Sequence, residues 1–184
     1  MADLIYATIT SLDGYVADEN GTFDWARPSD EVHAIFNDLQ RSIGTCLQGR
    51  RMYETMRWWD AVVVDQLPPI ERGFAELWRD TDKVVYSSTL KTVAEPRTRL
   101  ERTFDVDAIR TMKHAADRDL SIGGTGLAAH AILSGLVDRY LLVLVPTIVG
   151  AGTRALPDAA RLPLKLEDAQ RFSDGAVLLH YRAA

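Results

Sequence analysis

Short apolar runs alternate with amphipathic stretches along this chain. Leu4-Ile5-Tyr6-Ala7-Thr8-Ile9-Thr10 is rich in β-forming residues and predicts a strand; Ser11 to Gly21 then mixes Asp, Gly, Asn and Ala as a long surface loop does. Long loops beside strands are frequently functional. Pro28-Ser29-Asp30-Glu31 reads as a helix start, capped by Ser29 with acids in its first turn. Val32, Ile35, Phe36, Leu39 and Ile43 form its apolar stripe, and Gly44 closes it. Thr45-Cys46-Leu47-Gln48 predicts a buried strand, Gly49 a turn, and Arg50 the opening of a short helix. Beyond these come a helix from Leu67 to Trp78, a strand from Lys83 to Ser88, a short strand from Arg99 to Thr103, and a helix over Asp107 to Ala116. A strand at Leu120 to Ile122 and a helix from Leu127 to Gly135 complete the series.

The repeated β, α order predicts an α/β fold: a mostly parallel central sheet with helices on both faces, and a ligand at the strands' C-terminal ends. The tail differs. Asp138 to Val145 is a strong strand, Pro146 to Leu156 a glycine-containing loop, and Ala176 to Arg182 a last strand with no helix between them, so an antiparallel C-terminal edge is expected. With 184 residues, 47% of them hydrophobic, and no linker or repeat, residues 1–184 are expected to form a single domain.

Composition narrows the function. A net charge of −5 argues against a nucleic-acid or anionic-membrane surface, while leaving room for a local basic pocket at Arg50 and Arg51. The one cysteine, Cys46, lies in an apolar strand as a core residue, which suits a reducing cytoplasm. No apolar stretch has the length of a membrane span, and the N-terminus enters a strand pattern without a basic region or cleavage site. A soluble, unprocessed cytoplasmic protein is expected.

Two junctions carry the candidate chemistry. Ser121-Ile122-Gly123-Gly124-Thr125-Gly126-Leu127 ends an apolar run in clustered glycines and opens an amphipathic segment. Glycines let a backbone approach an anion closely, and the following helix offers unpaired N–H groups at the positive end of its dipole. Gly49 before Arg50-Arg51-Met52-Tyr53-Glu54 is a second such turn, opening with two cations. Two helix starts fit one diphosphate, although strand-to-helix turns also use glycine for ordinary backbone reasons. Gly124 to Ala129 approximates the G-x-G-x-x-A turn of a Rossmann domain, but the acid needed about 20 residues on is missing, because the next strand runs into Pro146.

In this order the motifs resemble the dihydrofolate reductase superfamily, and more closely the C-terminal reductase domain of the bifunctional riboflavin-biosynthesis deaminase-reductase. The resemblance covers nearly the whole chain. It is carried by Ser11-Leu12-Asp13-Gly14-Tyr15-Val16-Ala17, Gly49-Arg50-Arg51, Ser87-Ser88, Gly123-Gly124-Thr125-Gly126, and Pro146 to Gly152. It implies a dihydrofolate reductase-like three-layer fold and NADPH as cofactor. Gly49, Arg50, Arg51 and Met52, with Gly123, Gly124, Thr125, Gly126 and Leu127, would hold the diphosphate. Arg50, Arg51, Ser88 and Thr89 would surround the adenosine 2′-phosphate, with Ser87 beside them, since a dianion calls for cations and hydroxyl donors. Ile9, Val16 and Ala17 would pack near the nicotinamide, under a loop shaped by Asp13-Gly14.

Two positions depart from the relatives' pattern. Met52 stands where many have Thr, so a diphosphate contact there falls to its backbone N–H. His33 stands where dihydrofolate reductases place the carboxylate that binds the pterin, with Asp30 and Glu31 out of register, which argues against folate as the substrate.

Hydride transfer asks a protein mainly for orientation and water exclusion, so a sparse catalytic signature is expected. Asp24, for polarity or proton delivery, and Trp25, for stacking, are the catalytic candidates; Asp24 also suits a turn and Trp25 a core position. Trp58-Trp59 and His33 are candidate pocket walls. The four histidines are too scattered for a metal site, none is expected, and no Gly-x-Ser-x-Gly elbow is present. The expected function is NADPH-dependent reduction of a small nitrogen heterocycle, pterin- or pyrimidine-like. The alternatives are the 5-amino-6-(5-phosphoribosylamino)uracil reductase of riboflavin biosynthesis and a non-catalytic dinucleotide-binding or sensing protein. A homodimer is expected from the resemblance, and because the Tyr140 to Val145 and Val177 to Tyr181 strands are expected to form an edge that needs covering.

Overall fold

Strands of period-two apolarity stack between helices whose apolar stripes match them. The computed structural model describes residues 1–184. The chain runs through β1 (Leu4–Ser11), β2 (Tyr15–Ala17), α1 (Asp30–Ser42), β3 (Ile43–Gly49), α2 (Arg50–Met56), α3 (Trp58–Ala61), α4 (Pro69–Asp80), β4 (Asp82–Tyr86), β5 (Thr98–Glu101), α5 (Val106–Ala115), β6 (Asp119–Gly123), α6 (Thr125–Leu133), β7 (Arg139–Val145), β8 (Thr153–Arg154), β9 (Leu164–Arg171) and β10 (Val177–Ala183).

Eight strands form one sheet in the order β5-β4-β3-β6-β1-β7-β10-β9, and β2 pairs with β8 in a separate ribbon. Pairing is parallel from β5 through β7; β10 alone is reversed, antiparallel to both β7 and β9. Alternation then sorts the side chains. Leu4 and Tyr6 of β1, Leu47 of β3 and Ile122 of β6 pack on one face against Ile109 of α5 and Leu127, Ala128, Ala131 and Ile132 of α6. Ile5 and Cys46 meet Phe74 and Trp78 of α4 on the other face, where Val32 of α1 packs with Val143 and Leu178. Tyr6 is 1% exposed, and its hydroxyl donates to the Ala155 carbonyl at 2.6 Å, so the buried phenol is satisfied; burial pushes its pKa up. No helix is long and apolar enough to cross a membrane.

The Ser29 cap forms as expected, its Oγ accepting from the Val32 N–H. Four expectations are corrected. Ile43 and Gly44 do not close α1; Ile43 is wholly buried as the first residue of β3, and the register against β6 slips between Ile43 and Thr45. Helical phase put Ile43 on the stripe of α1, but pairing with Asp119 captures it for the sheet. The loop after β1 contains β2, and the loop after β7 contains its partner β8. β9 was not expected at all: its residues are nearly all exposed and lack alternation, and only the ladder to β10 makes them a strand. β7 and β10 are accordingly not an edge, because β9 covers β10.

Candidate active site

β3 and β6 are adjacent and parallel, with Gln48 level with Gly123, so the turns that end them leave the sheet side by side. A methyl added at Gly124 would lie 3.3 Å from Met52 Cβ and 3.4 Å from Gly49 N, and the residue sits at φ +82°. Glycine is required there on both counts. A methyl at Gly123 would come within 3.0 Å of Met52 Cε, so the thioether side chain lies across this backbone. Neither α2 nor α6 has a capping side chain, which leaves first-turn N–H groups free. Gly126, in the first turn of α6, faces open space, with nothing within 4 Å of an added methyl. Arg50 and Arg51 stand exposed at the positive end of the α2 dipole, an unfavourable place for cations unless an anion joins them. Arg50 is partly compensated by Glu54 at 2.7 Å.

The next turn, after β4, is built around Ser87. Its buried Oγ accepts from the N–H groups of Thr89 and Leu90 at 3.3 and 3.0 Å, so this hydroxyl shapes the turn, while Ser88 and Thr89 are exposed. Arg50 donates to Thr89 Oγ1 at 3.1 Å, joining the first helix start to this turn. Arg102, which sequence reading passed over, donates to the carbonyls of Ser87, Leu90 and Lys91 and clamps the turn from β5's side. Tyr53 donates to Glu95, and Arg57 pairs with Glu95 at 3.0 Å. Burial first, and then the Glu95 carboxylate, push the Tyr53 pKa up to about 12.

Ala7 and Ile9 stay partly exposed on the α1 face although β1 is an interior strand, and Gly123 beside them lies under the Met52 side chain. The ring of His33, on α1, lies 6.0 Å from that of Trp59 and 5.6 Å from that of Phe74. The two adjacent tryptophans divide: Trp58 is 49% exposed, and Trp59 packs against the core. α3, which carries Trp59, is anchored by Asp60, which pairs with buried Lys83 at 3.4 Å and accepts from Trp78 Nε1 at 2.8 Å. Trp25 packs with Ile9 against the Val32 cluster, and its Nε1 is buried without a partner. Asp24 opens a 3-10 turn and is exposed.

The loop after β1 is pinned by Asp13. Its carboxylate accepts from Ser11 Oγ at 2.7 Å and from the N–H groups of Val149 and Gly150 at 3.2 and 2.7 Å. The Ser11 hydroxyl and these backbone donors hold its carboxyl below the usual carboxylate range. Val16 and Ala17 lie in and beside the ribbon with β8, where a methyl added at Gly152 would strike Ala17 O at 2.1 Å. No three His, Cys, Asp or Glu side chains gather as metal ligands. A surface recess of about 340 Å³ between Asp82, Lys83, Arg97, Thr98 and Arg99 lies at the opposite end of the strands and has only charged and polar walls.

Mostly parallel strands, helices on both faces and a reversed strand beside the C-terminal edge define the dihydrofolate reductase-like three-layer class. Residues 2–178 match the model of the RibD C-terminal domain, and the chain belongs to that family. It is 26% identical over 180 residues to YyaP of Bacillus subtilis (strain 168), described as uncharacterized, covering 97% of this chain and 93% of that one. A Shewanella sp. PV-4 protein provisionally named for riboflavin biosynthesis shares the fold with a TM-score of 0.79 at 21% identity, over 100% of this chain and 99% of that one. A Thermotoga maritima diaminohydroxyphosphoribosylaminopyrimidine deaminase/5-amino-6-(5-phosphoribosylamino)uracil reductase gives 0.67 at 16% identity, over 100% of this chain and 57% of that longer one.

Proposed function

We propose that this protein is a cytoplasmic reductase of the riboflavin-biosynthesis type that binds NADPH and reduces a small nitrogen heterocycle, pterin- or pyrimidine-like. The observation that carries the reading is the contact between the Gly49 and Gly124 turns, which brings two uncapped helix starts to one groove. Gly123 to Leu127 and Gly49 to Met52 bind the diphosphate there. Arg50, joined to Thr89, faces the 2′-phosphate with Arg51 and Ser88. Ile9 and the Asp13-pinned loop exclude water from the nicotinamide side, and Trp25 and His33 flank the substrate. NADPH, once bound, supplies the hydride. Asp24 is an exposed residue that reaches the substrate only if its turn closes inward.

Thermal melts with NADPH, NADH and no ligand test the assignment. Ligand at 100 times its Kd stabilises by about 2.7 kcal/mol, which for a chain of this size raises Tm by about 5–10 °C. NADPH should do so, and Arg50→Ala should bring its effect down to that of NADH. No shift with millimolar NADPH would remove the cofactor from this reading; saturable binding without turnover of dihydrofolate, pterins or the riboflavin pyrimidine intermediate would favour a dinucleotide sensor.

A further inference from the structure

Between β4 and β5 the chain leaves the sheet. From Ser88 to Pro96 no backbone group takes part in a backbone–backbone hydrogen bond, so the polar ties of this segment run through side chains. At its far end Glu95, with a side chain 9% exposed, accepts from the Tyr53 hydroxyl of α2 and pairs with Arg57 at 3.0 Å. At its near end the ties are Ser87 Oγ, which accepts from the Thr89 and Leu90 N–H groups, and Arg102. One terminal nitrogen of Arg102 donates to the Ser87 carbonyl at 3.2 Å and to the Leu90 carbonyl; the other donates to the Lys91 carbonyl at 3.3 Å. These three carbonyls bracket Ser88 and Thr89. Arg102 directly follows β5, whose last residue, Glu101, accepts from the Ser87 N–H at 3.0 Å, so the clamp is anchored where the ladder ends.

This is not an ordinary surface cation. Arg97 and Arg99 pair with Asp82 and Glu101 at 3.1 and 3.4 Å, whereas Arg102 pairs with no carboxylate and spends its donors on carbonyls alone. A guanidinium spreads five N–H donors over a fixed plane and can span separated acceptors; an ammonium carries three on a single atom. The segment so held carries Ser88 and Thr89, both exposed, and Thr89 Oγ1 accepts from Arg50 at 3.1 Å.

We propose that Arg102 is the positioning residue of the 2′-phosphate subsite: by gathering three carbonyls it holds Ser88 and Thr89 beside Arg50, and so sets the preference for NADPH over NADH. The inference rests on the reading of this groove as an NADPH site. Without the clamp the turn has no ladder to keep its shape, Thr89 parts from Arg50, and carbonyl oxygens freed from Arg102 repel the phosphate that the hydroxyls would bind. The Gly123 to Leu127 turn has no tie to Arg102, so what both dinucleotides share is left as it was.

The experiment titrates the wild type, Arg102→Lys and Arg102→Gln with NADPH and with NADH by calorimetry, and follows exchange of the Thr89 and Leu90 amides by NMR without ligand. Arg102 is exposed, so both variants should fold. Each should lose about tenfold or more in NADPH affinity, the loss of one hydrogen bond to a charged group, and keep NADH affinity within about twofold. Both amides should exchange faster in both variants. Lysine keeps the charge but not the span, so full recovery of NADPH binding in R102K would overturn the proposal by showing that only the charge matters. Weaker NADPH binding with unchanged amide exchange would overturn it too, since Arg102 would then touch the phosphate itself. Equal losses for NADPH and NADH would reduce Arg102 to a general structural tie and end the proposal. A wild type that prefers NADPH and variants that do so equally would end it while the cofactor reading stands; a wild type that binds neither dinucleotide would end both.

Discussion

Gly126→Ala separates what the protein needs from what a ligand needs. Gly124 is required by the fold, at φ +82° and in contact with Met52 and Gly49, whereas Gly126 lies inside α6 with nothing within 4 Å of an added methyl. Alanine in a helix is favoured over glycine by about 0.5–1 kcal/mol, so the unliganded variant should melt about 1–4 °C higher. A diphosphate seated on the first turn of α6 would meet that methyl and lose hydrogen bonds to charged oxygens. At about 1.5–3 kcal/mol, this weakens NADPH about 10- to 150-fold. Differential scanning fluorimetry without ligand and calorimetric titration with NADPH read the two effects separately. A variant that is more stable and binds NADPH as well as the wild type would refute the placement of the phosphates at this turn.

Three other outcomes are expected. Asp13→Asn tests the loop clamp: because the folded carboxyl titrates below its unfolded value, its stabilisation is present above about pH 4 and is lost as pH falls through the lower folded value. The wild type should therefore melt above D13N at neutral pH, and the gap should close in acid; a pH-independent gap would deny the clamp its charge. Lys83→Met leaves Asp60 buried without its cation, and urea unfolding should register a loss of about 3–5 kcal/mol, with a loss under 1 kcal/mol counting against the pair. The chain is proposed to be a homodimer, through the half-buried Leu144, Val177 and Leu179 and the half-exposed Leu166 on the α5 face of β7, β10 and β9. Light scattering should give twice the chain mass and Leu179→Asp the single mass; a monomeric wild type ends that proposal.

Much of this architecture is legible in the sequence. Alternation at Leu4 to Thr10 marks β1, Ser29 marks the start of α1, and the glycines at 49 and 123–126 mark both strand-to-helix turns, since each rests on local chemistry: side-chain period, a capping hydroxyl, freedom from a Cβ. β9 was not legible, because a polar exposed segment becomes a strand only when β10 offers it a ladder. Arg102 gave no motif; its role exists only because the turn after β4 presents three carbonyls to it.

What the amino-acid order determined by itself, then, was the set of elements and the two phosphate-sized turns, because those depend on neighbours within a few residues. That Gly49 and Gly124 touch and that Arg50 meets Thr89 were decided by the tertiary structure alone. Parallel pairing of β3 with β6 and β4 brings together residues far apart in the chain, and no local pattern encodes which strands become neighbours.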